Sequence, residues 1–231
     1  MYIAKHFELP PERVAELLAS AATAQLVTAH AWGPEATLLP MSYQPDASGG
    51  LGSLHFHVTR TNPVWKTERL GEALAIVSGP DAYVSPTWEP GFAEAPGVPT
   101  WNYETVHAYG DLVIHDDPAW AREAVTRLSA QHGYDVAQVS ERTMDLLLRS
   151  VVGVELKIAR VLAKGKLSQN RPSASIEAMI EALRERGLDD DEALAEVMED
   201  VSLPHAKARE SLVDGIRAEH NLGFAAPHST D

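Results

Sequence analysis

The sequence predicts a mainly β, α+β fold: an antiparallel barrel or sandwich of six or seven short strands, with helices inserted and an acidic helical tail. Short apolar runs recur between tight turn signals up to about residue 161, a spacing that suits antiparallel strands rather than a parallel sheet. Two amphipathic stretches interrupt them. After Asn170 the texture changes to helical periodicity and acidic charge. A chain of 231 residues suffices for one core plus an appendage, so the expected division is a barrel domain over 1–170 and an acidic extension over 171–231.

Pro10 and Pro11 open a first helix, where a missing N–H is harmless, and Val14, Leu17 and Leu18 form its apolar stripe. The strand candidates are 25–31, 37–43, 54–58, 73–78 and 82–85. They are separated at Trp32-Gly33-Pro34, at 45–50 and at Gly79-Pro80-Asp81. A short helix is expected over 62–70, with Asn62 as N-cap and Pro63 in first position. Residues 89–99, with three prolines and two glycines, read as a loop, and 106–115 as a strand. Helices follow over 118–132, with Ala121, Ala124, Val125 and Leu128 on one side, and over 140–148. The β-branched run 151–161 suits a last strand, and 173–186, 190–201 and 203–220 are tail helices.

Composition excludes several classes. The chain has no cysteine, which removes disulfide scaffolds, thiolate metal sites and dithiol chemistry; redox work would need a bound cofactor. The start has neither the basic nor the apolar segment of a signal peptide, and no window suits a membrane span, so a cytoplasmic location is expected. Of the net charge of −14, residues 1–170 carry 13 basic and 19 acidic groups, and residues 171–231 carry 6 and 14. DNA binders answer a line of phosphates with clustered Lys and Arg, and no such cluster is present.

Four segments exceed what a plain barrel requires. In the stretch 55–63 a strand, Arg60 and a helix start coincide; the guanidinium fork and nearby N–H groups suit a phosphate, against the alternative of an exposed Arg. His55 and His57 share a strand face, but no third ligand at a metal-site spacing accompanies them. In 82–88, Tyr83 and Ser85 share a face, and in 98–103 Trp101 and Tyr103 follow; these aromatics either wall a flat ligand or form a core cluster. The polar run 164–171 closes the last strand as a solvated turn or a binding rim, with Lys166, Gln169 and Asn170 as candidate donors.

The opening MYIAKHF, then HFHVTRTNP, AYVSPTW, VPTWNYETVHAYG and KLSQNR, in this order, resemble the PaiB-like FMN-binding negative transcriptional regulators over roughly residues 1–183. That family is similar to the pyridoxamine-phosphate-oxidase-like split barrels. The resemblance implies a split β-barrel homodimer with FMN at the subunit interface. It implies Arg60 and Asn62 at the phosphate with His57 and Thr59 beside them, Ser85, Trp101 and Asn102 along the ring system, and Lys166, Gln169 and Asn170 completing the site. It also implies a regulator of transcription, which the acidic tail turns toward a partner protein rather than direct DNA contact. The alternatives are an FMN-dependent oxidoreductase acting on a small substrate, or a haem-binding split barrel with His6, His30 or His107 as ligand.

Overall fold

In the computed structural model, which describes residues 1–222, seven strands form one sheet in the order β2-β1-β5-β6-β7-β4-β3. The strands are β1 (Thr23–His30), β2 (Gly33–Pro40), β3 (Ser42–Gln44), β4 (Ser53–Thr59), β5 (Ala73–Val84), β6 (Thr100–His115) and β7 (Val151–Lys166). The helices are α1 (Pro11–Ser20), α2 (Pro118–Gln131), α3 (Glu141–Arg149), α4 (Ser173–Arg186), α5 (Asp191–Val197) and α6 (Leu203–Leu222). The expected α+β fold, mainly β, is thus present.

Residues Met1–Ile3, Leu9–Gly79 and Thr105–Lys164 form one compact unit; Ala4–Glu8, Pro80–Glu104 and the chain from Gly165 form a second. In the first unit β1 and β2 make a tight hairpin, with His30 opposite Gly33, and β4 pairs antiparallel with β3 and β7. The run 37–43 becomes two strands on opposite edges of the sheet. Pro40 has no N–H to continue a ladder, and buried Met41 turns the chain from β2 into β3. β2 lies against β4, so the sheet curls toward closure.

Period-two alternation aims one face of each strand inward. Leu26, Leu54, Phe56, Val58, Ala75, Val77, Val106, Val152, Val154 and Leu156 make the core, which Leu17 and Leu18 of α1 join. Gly153 has no side chain because Trp120 of α2 lies over it: a Cβ there would stand 2.2 Å from the indole.

Several boundaries differ from the sequence expectation; β6, for one, begins at Thr100 rather than at 106. Gly79-Pro80-Asp81 does not break a strand; β5 runs through it. β1 pairs only with Leu74–Ile76, so no β1 residue opposes Pro80 and its missing donor interrupts no bond on that side. β7 continues past residue 161 to Lys166, with Ala163 and Gly165 buried.

The second unit has its own core of Ala82, Val84, Leu167, Ile176, Met179, Leu183, Leu194 and Met198. Gly187, at φ 61°, ends α4 in the left-handed conformation. Asp191, one of the tail's acidic residues, is buried; its carboxylate takes Arg186 Nε at 2.8 Å and the Leu188 N–H at 2.9 Å. The helix expected over 190–201 contains a π-helical turn, Met198–Ser202, between α5 and α6.

Candidate functional site

The corner after β4 assembles from local hydrogen bonds. Asn62 N–H donates to Thr59 O at 2.9 Å, Arg60 N–H donates to Ser150 O at 2.8 Å, and the Thr59 and Thr61 hydroxyls meet at 3.1 Å. Asn62 Oδ1 accepts from Val64 N at 2.9 Å, the expected N-cap. The helix it caps is shorter than expected, a single 3-10 turn, Pro63–Trp65. The chain then turns away and ties Leu70 N–H to Ala29 O at 2.8 Å. One turn aligns few peptide dipoles, so side chains set the field here.

Two cations supply it. Arg60 Cζ lies 5.7 Å and Lys66 Nζ 4.5 Å from the centre of the Trp65 indole. Arg60 donates through Nε to Arg149 O at 3.0 Å, and its two terminal nitrogens grip Asp116 at 2.6 and 3.1 Å. This hydrogen-bonded pair holds the Asp116 carboxyl below the usual range and raises Arg60. Both side chains stay accessible, at 39% and 52% exposure. A bidentate fork that fits a carboxylate also fits a phosphate. Sequence reasoning missed Lys66 and Asp116. Lys66 fell inside the helix expected over 62–70, and Asp116 precedes the helix expected from 118, whose cap Asp117 accepts the Ala119 N–H at 3.0 Å.

His57 lies half-buried on β4, and burial alone pushes its pKa down. Its neighbour in alternation, His55, anchors α2. Arg127 of α2 donates to His55 Nδ1 at 3.1 Å, and a guanidinium has only donors, so Nδ1 carries no proton. His55 Nε2 then donates to Ser53 Oγ at 3.0 Å. Glu155 accepts from His115 Nε2 at 2.9 Å, and His115 stacks on Trp120 at 4.2 Å.

Burial, and secondarily Arg127, lower the His55 pKa against the opposing pull of Glu155. His57 and His107 are also lowered, chiefly by burial. The folded state thus binds protons less readily than the unfolded chain. Stability is complete above the unfolded histidine value of about 6.5 and is lost as pH falls below it toward the folded values. Glu155 is held low by His115 and Ser53 against desolvation, and adds a loss only in the acid range below its ordinary value. The melting temperature is expected to fall between about pH 7.5 and 5.5, with a shallower slope in His55→Gln. A flat profile in the parent protein would refute this linkage.

The other six sequence candidates lie in the second unit. Asn102 is fully buried; its amide donates to Ser168 Oγ at 3.0 Å and receives that hydroxyl on Oδ1 at 3.1 Å. This bond holds Ser168 at φ 63°, the one described non-glycine residue with positive φ. Gln169 is buried too, with Oε1 on Leu167 N–H at 2.9 Å and Nε2 on Gly165 O at 2.6 Å. Both amides therefore shape the turn after β7. Lys166 Nζ donates to Trp101 O at 2.8 Å and to the Thr100 hydroxyl. Trp101, half exposed, donates to Asp81 at 2.6 Å and meets Tyr83 edge-on with ring centroids 6.4 Å apart. Ser85 caps the turn Pro86–Trp88, and Asn170 is exposed.

Of the three candidate haem ligands, His30 has both ring nitrogens engaged, by Thr28 at 2.8 Å and Glu68 O at 2.7 Å. His6 is exposed beside Phe7, and His107 has a buried Nδ1 without a hydrogen-bond partner. Among the described residues no helix is long and apolar enough to cross a membrane, and no three His, Asp or Glu side chains are grouped to hold a metal.

Residues 1–160 match the family model described as "Putative FMN-binding domain". The chain is 29% identical over 211 residues, 87% of its own length and 97% of the relative's, to protease synthase and sporulation protein PAI 2 of Bacillus subtilis. In fold it is similar to a putative 5-nitroimidazole antibiotic resistance protein from Bacteroides thetaiotaomicron, with a TM-score of 0.51, 13% identity, and 68% and 84% of the two chains covered. It is likewise similar to the flavocytochrome Anf3 from Azotobacter vinelandii, with a TM-score of 0.50, 15% identity, and 68% and 67% covered. The chain belongs to this FMN-binding family, and is a flavin-binding split-barrel protein whose cofactor is FMN.

Proposed function

We propose that the protein holds FMN by its phosphate at the corner formed by Thr59, Arg60 and Asn62, acts as a cytoplasmic homodimer, and serves as a flavin-dependent regulator that makes no direct contact with DNA. The observation that carries the flavin site is the accessible Arg60 fork, already closed on a carboxylate beside Lys66. Ser85, Trp101, Lys166 and Asn170 are proposed as further flavin contacts on the family resemblance alone; within the second unit Asn102 and Gln169 fix the turn after β7. Bound FMN supplies hydride or one-electron chemistry that no side chain of this cysteine-free chain provides.

The regulatory reading is supported by the relative named for protease synthase and sporulation. Its indirect character is supported by charge. In α4–α6 Arg184 is paired with Glu192 and Glu199, Arg186 with Asp191, Lys207 with Glu177, and Arg209 with two carbonyls. A phosphate backbone would find few free cations there, whereas a basic face of a partner protein would find carboxylates. The visible spectrum after FMN addition and gel filtration tests the first half: flavin absorption should travel with a dimer. A duplex-DNA band shift by the purified protein that weakens with salt would overturn the second.

A further inference from the structure

Within the first unit, β4, α2, α3, the turn joining the two helices and the start of β7 line an open cavity of about 390 Å³. Its wall is apolar: Val125, Val136, Val139, Met144, Leu147 and Val151 supply most of it, and no lining side chain carries a fixed charge. Packed interiors hold few voids larger than a water molecule, and ligand pockets begin near 300 Å³, so this space is of ligand size. A 150 Å³ apolar cavity already admits benzene; this one has room for a single ring with a short substituent. The small core beside it fully buries only Ala121, Met144 and Leu148, so the helical pair closes over space rather than over side chains. Tyr134 and Leu147, 49% and 53% exposed, stand on its wall and leave it open to solvent.

Four polar side chains stand on the wall, Ser129, Tyr134, Ser150 and His57; Ser150 Oγ donates to Leu147 O at 2.6 Å, and His57 is the one imidazole among them. The His57 ring lines the cavity, half-buried and desolvated, and has no hydrogen-bond partner among the described residues. A neutral imidazole offers one acceptor and one donor, and a single hydroxyl can satisfy it. A phosphate or other full charge would be poorly solvated by valine and leucine.

We propose that this cavity is a binding site for a small uncharged aromatic molecule bearing one hydroxyl, oriented by His57, which this reading assigns to the cavity rather than to the flavin phosphate corner. The assignment goes beyond the flavin reading and does not depend on it.

The test is calorimetric titration of the full chain, with and without saturating FMN, using 4-ethylphenol and, as the probe lacking the hydroxyl, ethylbenzene. Both should bind, 4-ethylphenol more tightly by roughly 5- to 10-fold, the worth of one net hydrogen bond. His57→Leu should equalise the two probes without abolishing binding, and Val139→Trp, which fills the cavity, should abolish both. Should Val139→Trp fail to fold, as judged by circular dichroism, the probe pair on His57→Leu decides alone. The proposal is overturned if neither probe binds, if the hydroxyl preference survives His57→Leu, if a folded Val139→Trp still binds, or if FMN displaces the probes. Loss of flavin binding with probe binding intact would count against the flavin site only.

Discussion

Gly110→Ala is expected to destabilise the first unit by about 3 kcal/mol, the upper end of what overpacking costs when backbone rather than side chain must move. Gly110 lies buried on β6, and a Cβ placed there would stand 1.8 Å from the Lys157 carbonyl oxygen and 3.1 Å from the Ala159 nitrogen on β7. No rotamer relieves such a contact, because both obstacles are main chain. The strand has to shift, and with it the register that aims Val154, Leu156 and Ile158 into the core. For a chain of this size the loss corresponds to a fall of about 6–12 °C in melting temperature. The contrast is Gly215→Ala on α6. A Cβ there meets nothing within 4 Å, and the exchange should be stabilising by about 0.5–1 kcal/mol through helix propensity. Thermal denaturation of both variants checks the pair; a Gly110→Ala protein melting with the parent would show that β6 and β7 do not approach this closely.

Where the sequence was legible, a local rule and the tertiary structure demanded the same thing. The strands expected over 54–58 and 151–161 survive within β4 and β7. Asn62, expected as a cap, accepts the Val64 N–H at the turn it starts. It was illegible where distant partners override a local signal. Pro80 looks like a breaker and sits inside β5 because no β1 residue opposes it. Ser168 adopts a glycine-like φ with its hydroxyl bonded to the Asn102 amide, far away in sequence.

The candidate site divides in the same way. Arg60 and Asn62 were legible because strand, charge and cap coincide within three residues. Asp116 was not, since its pairing with Arg60 spans 56 positions and follows from no periodicity. Asn102 and Gln169 read as flavin contacts because a polar side chain looks alike in sequence whether it meets a ligand or the protein itself, as Asn102 meets Ser168 Oγ and Gln169 meets Leu167 N–H and Gly165 O.

Arg60 and Asp116 make opposite predictions for flavin affinity, and their opposition separates a phosphate site from a structural ion pair. If the guanidinium receives the FMN phosphate, Arg60→Ala should weaken FMN binding by about 10- to 100-fold, the loss of a bidentate charge-assisted contact. Asp116 competes for the same fork, with its oxygens 2.6 and 3.1 Å from the two terminal nitrogens. Asp116→Asn removes a negative charge from the phosphate's place and should tighten FMN severalfold, an effect that salt diminishes because both groups are exposed. Riboflavin supplies the control: it lacks the phosphate, so neither substitution should alter its affinity by much. A purely structural role for the pair predicts a different pattern, in which both variants lose stability and bind FMN and riboflavin alike. Titration of flavin fluorescence with each variant distinguishes the two. An Arg60→Ala protein that retains parental FMN affinity would move the phosphate away from this corner, even though Lys66 and Trp65 flank it.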